Sequence, residues 1–152
     1  GVYSFLVVTP IGAIVLALAV GFPATMAAHV FIPTLLLTML LGSVLTLFLY
    51  MMVGLLAFWI EDINPAFWIV DKAVMILGGS YLPVALFPTL MYKFALYSPF
   101  GASQFVTHTV SVSWQTEWPY QLGIQIVWIV VCMIIVRSMF TLAQKKVSVN
   151  GG

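Results

Sequence analysis

The sequence predicts an all-α polytopic membrane helix bundle, with about four transmembrane helices and a re-entrant outer helical hairpin before the last span. Three observations carry that expectation. Apolar residues make up 63% of the 152 positions and charged residues 6%, against about 25% charged in ordinary soluble domains. The first sixty residues contain no Asp, Glu, Lys or Arg. Four charged residues (Glu61, Asp62, Asp71 and Lys72) fall in the stretch from Phe58 to Pro88, together with two Phe-Trp pairs, a Gly-Gly pair and three prolines. The chain is long enough for one transmembrane domain over 1–152.

A span needs about 20 apolar residues to cross about 30 Å of hydrocarbon, so the uncharged first sixty positions hold two. Their expected limits are 3–22 and 34–59. Between them, Gly21, Pro23, His29 and Pro33 mark an outer loop. Pro10 is tolerated as a kink, and Pro33 is placed near the first turn of the second span, where a missing N–H costs nothing. Thr38, Gly42, Thr46, Tyr50 and Gly54 recur every fourth residue. That spacing sets a stripe on one face, which fits either close helix packing or the ordinary abundance of small residues in membrane helices.

The turn Glu61-Asp62-Ile63-Asn64-Pro65 follows, with Asn64 as the expected N-cap and Pro65 at the first helical position. A third span is expected over 65–83. Asp71 and Lys72 sit inside it, and adjacent residues do not face one another on a helix, so they are expected not to neutralise each other. Arg137 is the expected partner of Asp71. An ionisable group inside a membrane segment is a functional candidate, and both anchoring and a direct transport role fit Asp71. Gly78, Gly79 and Pro83 interrupt the remaining apolar run, so the helix is expected to break up near the outer interface. A short helix over Thr89 to Tyr97, a Ser-Pro-Phe-Gly turn and a second short helix near Ala102 to Val110 would form the hairpin, at about 86–112. Trp114, Trp118 and Tyr120 read as an interfacial aromatic belt.

The last span is expected over 119–137, closed by Arg137, with Gln121, Gln125, Trp128 and Cys132 on or near one face. Arg137, Lys145 and Lys146 make the end basic, which places the carboxyl terminus in the cytoplasm. The Glu61–Pro65 turn is then also inside, and the 21–33 loop and the hairpin outside.

Several function classes find no footing. The net charge of +1 offers no basic patch for nucleic acid. One cysteine and two distant histidines make no metal site. No GxxxxGK[ST] phosphate loop, HExxH or GxSxG occurs. Glu61 and Asp62 lie at a turn without a third polar partner and read as capping or contact residues rather than an acid–base pair. No catalytic residues, metal or cofactor are expected.

Ala57-Phe58-Trp59 with Glu61-Asp62, then Phe67-Trp68, Asp71, Gly78-Gly79, Pro83, Leu86-Phe87-Pro88 and Ser98-Pro99-Phe100 follow one another in a specific order. In this run, strongest from about Tyr50 to Phe100, the chain resembles the permease subunits of ABC-2 type transporters. The Val149-Asn150-Gly151-Gly152 end is similar as well. The family's usual subunit has six spans, with two short re-entrant helices on the outer side between the fifth and sixth. The resemblance implies that this chain corresponds to the carboxyl-terminal portion, without the first two spans and the cytoplasmic loop after them.

The resemblance further implies a multi-pass subunit of the bacterial inner membrane that forms part of an export pathway. A separate ABC ATP-binding subunit would hold ATP and Mg, and a second permease subunit would complete a homo- or heterodimer. Glu61, Asp62 and Asn64, the short inner turn, are the candidate ATPase contacts. Asp71, Lys72, Gly78, Gly79, Pro83, Gln121 and Gln125 are the candidate intramembrane polar and gating positions. Two other functions stay open on the residues alone: a non-transporting subunit that anchors a complex, and a secondary transporter coupled to protons through Asp71 and the histidines.

Overall fold

The computed structural model describes residues 27–109 and 114–150. Its elements are α1 (Ala28–Leu55), a 3-10 turn (Leu56–Phe58), α2 (Asn64–Leu77), a second 3-10 turn (Val84–Leu86), α3 (Thr89–Tyr97), α4 (Pro99–Ala102), a third 3-10 turn (Phe105–His108) and α5 (Trp114–Asn150). No strand occurs among the described residues.

Among the described residues, two helices are long and apolar enough to cross a membrane, α1 with its 3-10 extension and α5. Only 22% and 17% of their most apolar stretches are buried. Leu36, Leu40, Leu47, Ile126, Val127 and Ile134 stand exposed along their sides, a surface that suits lipid rather than water. The expected span over 3–22 lies outside the described residues.

Three expected boundaries are corrected. The second span, placed at 34–59, starts at Ala28, so His29 is in its first turn rather than in a loop, and Pro33 lies inside the helix. Pro33 is five residues past the helix start, and its ring removes a bond only to the opening turn. The third span, placed at 65–83, is a helix of 14 residues ending at Leu77. At 1.5 Å per residue it is about 21 Å long, short of the ~30 Å needed to cross. The last span, placed at 119–137, belongs to a 37-residue helix from Trp114 to Asn150 with Pro119 inside it. Pro119 falls in the second turn, where only one early bond is lost, and nothing at Arg137 stops the helix.

The segment from Pro88 onward is helical where expected at Thr89–Tyr97. Instead of one helix near 102–110 it then forms the single turn of α4 and a 3-10 turn. Ser98 starts α4, its hydroxyl accepting from the Gly101 N–H at 3.1 Å, with Pro99 in the first turn. The Ser-Pro pair is therefore an N-cap and N1 signature rather than a plain turn. A core of Leu45, Leu49, Val74, Ala102, Phe105 and Cys132 joins α1, α2, α4, the third 3-10 turn and α5. Leu77, Val84 and Ala95 form a smaller cluster under the break after α2.

Candidate functional site

The structure distributes the candidate residues over four places: the turn before α2, the middle of α2, its broken end, and the face of α5 that meets α1 and α4.

At the turn, Ile63 and not Asn64 holds the N-cap position. Asp62 supplies the cap, its Oδ1 accepting from the Asn64 backbone N–H at 3.0 Å and from the Asn64 side-chain amide at 2.8 Å. A carboxylate there suits the positive end of the helix dipole, while the N-cap position itself lies one residue upstream of the expected one. Glu61 is exposed beside it. Just before this turn, the Lys146 ammonium donates to the Phe58 carbonyl at 2.6 Å. That contact puts the carboxyl end of α5 and the Glu61–Pro65 turn at the same end of the molecule.

In α2, Asp71 pairs with its neighbour Lys72 at 3.3 Å and accepts from the Tyr50 hydroxyl at 3.0 Å. Both expectations for Asp71 are corrected: Lys72 does meet it, and Arg137 lies elsewhere, on a groove of about 410 Å³ with Ile134, Ser138, Thr141 and Leu142. The long lysine side chain makes the adjacent pair possible, because it bends back along the surface. Its ammonium lies 5.0 Å from the Trp68 ring, one turn back, and 3.4 Å from the Tyr81 hydroxyl. Tyr50 is fixed in turn by stacking on Phe67, with centroids 4.8 Å apart. The stripe on α1 thus contributes a polar anchor that its spacing alone did not distinguish from a small-residue contact.

The break itself is built from glycine and threonine. The Ser80 N–H donates to Met75 at 3.0 Å and the Gly79 N–H to Ile76 at 3.2 Å, the paired bonds of a Schellman ending. Gly79 carries φ of +80°, a conformation open to glycine and costly to other residues. The Thr107 hydroxyl donates to the Gly78 carbonyl at 3.0 Å, so the returning segment satisfies the helix end. Pro83 lies beyond the helix and starts the second 3-10 turn.

The last place is the most enclosed. Gln125 is fully buried, and its amide donates to the Ala102 carbonyl at 2.9 Å and to the Thr38 carbonyl at 3.2 Å. One side chain of α5 thereby ties α4 to α1. Gly42 makes the approach possible: a Cβ there would lie 2.5 Å from the Ser103 carbonyl oxygen. One turn up, Gln121 is also buried and donates to Glu117 at 3.1 Å. Trp128 and Cys132 continue the face, Trp128 donating to the Tyr97 carbonyl at 2.8 Å and Cys132 in the core. Trp114, expected at an interface, is buried instead, while Tyr120 is exposed; α5 begins early enough to turn Trp114 inward.

The structure therefore joins Gln125 to the stripe at Thr38 and Gly42, and joins Asp71 and Lys72 to it at Tyr50. The inner turn and the broken helix end stand apart from both. Thr107 and Glu117 were not expected at all. The Thr107 contact spans 29 positions, beyond any local pattern. No protein-family model matches the chain, and neither a curated protein nor a solved structure matches it.

Proposed function

We propose that this chain is a membrane-spanning permease subunit of an ATP-driven ABC-2 type exporter, lying in the cell membrane. It forms part of the translocation pathway while a partner subunit hydrolyses ATP. In this reading α1 and α5 cross the bilayer, and α2 enters it from the cytoplasmic side. The second and third 3-10 turns with α3 and α4 form the re-entrant outer hairpin ahead of α5.

One observation carries the reading. A helix too short to cross stops at Gly78-Gly79, and the chain then folds back against it through α3 and α4, held by Thr107 and Gln125. Irregular backbone at membrane depth is tolerated where protein covers it or a water-filled cavity runs beside it. An anchoring helix has no use for such a break, whereas a gate that shifts on nucleotide binding does.

The test is purification of the full chain from its host membrane, followed by reconstitution. The expected result is co-purification of a P-loop ATPase and export that requires ATP, with charge reversal at Glu61 and Asp62 weakening the association. Transport driven by a proton gradient without ATP would replace this reading with a secondary transporter. A stable complex indifferent to nucleotide would replace it with an anchoring subunit.

A further inference from the structure

Arg137 closes the long uncharged run of α5. Residues 118–136 carry no charge, and the rise from Glu117 to Arg137 is about 30 Å at 1.5 Å per residue, which matches the hydrocarbon thickness of a bilayer. With α5 crossing, Arg137 sits at the depth of the lipid phosphates, in the leaflet on the Lys146 side. Arg137 is exposed and lies in a groove of about 410 Å³ with Ile134, Ser138, Thr141 and Leu142. A water molecule takes up about 30 Å³, so the groove admits a group many times larger.

This chain brings no anion to the groove. Its side-chain carboxylates are Glu61, Asp62, Asp71 and Glu117, all among the described residues, and none pairs with Arg137. Asp71 is held by Lys72 and Tyr50, Asp62 caps Asn64, and Glu117 accepts from Gln121 toward the other end of the helix. A second copy lying parallel in the bilayer would keep its Glu61 and Asp62 near the Lys146 level, about 13 Å further along α5. A partner subunit in the water meets that end first as well. The two hydroxyls narrow the chemistry. Ser138 donates to the Ile134 carbonyl at 2.8 Å and Thr141 to the Arg137 carbonyl at 2.9 Å, so each has spent its proton and offers lone pairs only. The groove thus presents a guanidinium fork suited to a phosphate, two acceptors for donors beside that phosphate, and Ile134 one turn nearer the hydrocarbon.

We propose that this groove binds an anionic glycerophospholipid with a hydroxylated headgroup, of the phosphatidylglycerol kind. The Arg137 guanidinium donates to the phosphate, the Ser138 and Thr141 oxygens accept from the headgroup hydroxyls, and an acyl chain runs along Ile134. A zwitterionic lipid fits less well, because its ammonium or choline group sets a second cation beside Arg137 and leaves the charge unbalanced. Such a site requires only that α5 cross the bilayer, and it holds whichever function the subunit has.

Native mass spectrometry of the purified full chain in detergent tests it, with phosphatidylglycerol, phosphatidylethanolamine or phosphatidylcholine of identical acyl chains added in turn. The wild-type chain should retain phosphatidylglycerol in preference to the other two. Arg137→Gln should lower that retention by about fivefold, the effect of one basic residue on an anionic lipid, whereas Lys145→Gln, at the same end of α5, should leave it unchanged. Equal retention of the three lipids by the wild-type chain overturns the proposal without recourse to any variant. An Arg137→Gln chain that keeps its helices by circular dichroism and still retains phosphatidylglycerol overturns it too, as does an equal loss in Lys145→Gln. Displacement of the lipid by inorganic phosphate would make the groove a site for soluble anions instead. Loss of a dimer in Arg137→Gln with lipid retention intact would make it a contact between copies.

Discussion

The side-chain amide of Gln125 donates to the backbone carbonyl of Thr38, 87 positions away in sequence, while the same nitrogen holds Ala102. A neutral amide thus bridges the two long helices and the short returning segment. Replacing it by Leu preserves bulk but leaves the Ala102 carbonyl without this donor inside the bundle. Gln125→Leu should lower stability by about 1–3 kcal/mol, the cost of an unmet buried polar group. Reversible unfolding in mixed detergent measures it.

The approach at Gly42 can be separated from helix propensity by a paired experiment. A Cβ at Gly42 meets the Ser103 carbonyl oxygen at 2.5 Å, whereas a Cβ at Gly54 meets nothing within 4 Å. Gly54→Ala should be stabilising by up to about 1 kcal/mol, the ordinary gain of alanine over glycine in a helix. Gly42→Ala should be destabilising by about 1–3 kcal/mol, the usual cost of overpacking. Thermal unfolding of the two variants in parallel would show opposite signs.

Tyr50 and Asp71 form the polar link between α1 and α2. Tyr50→Phe and Asp71→Asn should each weaken it, and the double variant should cost less than the sum, with a coupling of about 1 kcal/mol for one shared hydrogen bond. Asp71→Asn should also impair assembly or export. Additive effects in the cycle, together with normal protein levels and export for Asp71→Asn, would show that the pair is not a working link.

His108 sits against Phe105, with ring centroids 5.2 Å apart. Burial holds its pKa below the usual 6.5, against a smaller upward pull from Glu117. The unfolded chain therefore takes up a proton at higher pH than the folded chain does. Stability is full above the unfolded value and falls as pH drops from about 7 toward 5. A thermal-shift series over that window should show the loss, and His108→Gln should flatten it.

Much of the architecture was readable because it rests on local chemistry. Gly78-Gly79 ends a helix through backbone bonds within six residues, and Thr89–Tyr97 is bounded by prolines and a capping serine. The helix limits were less readable. Pro33 and Pro119 suggested starts at 34 and 119, but each costs only one early bond, and a long apolar helix absorbs it. The polar partners were the least visible. Pairing Asp71 with Arg137 treated charge as the guide, whereas the geometry supplies a hydroxyl from α1 and a lysine bent back over Trp68. Gln121 and Gln125 stood out as a polar edge, but the enclosure of Gln125 depends on Gly42 and on the segment around Ala102, both remote in sequence.

The Lys146 ammonium on the Phe58 carbonyl has a mechanical consequence. It clamps the far end of a 37-residue rod to the end of α1's 3-10 extension, so the turn beside Asp62 and the rod share one point of rotation. The other arm of the rod carries Gln125 and the segment it grips. A tag fused close behind Lys146, or a stop codon before it, would loosen the pivot as well as trim the end.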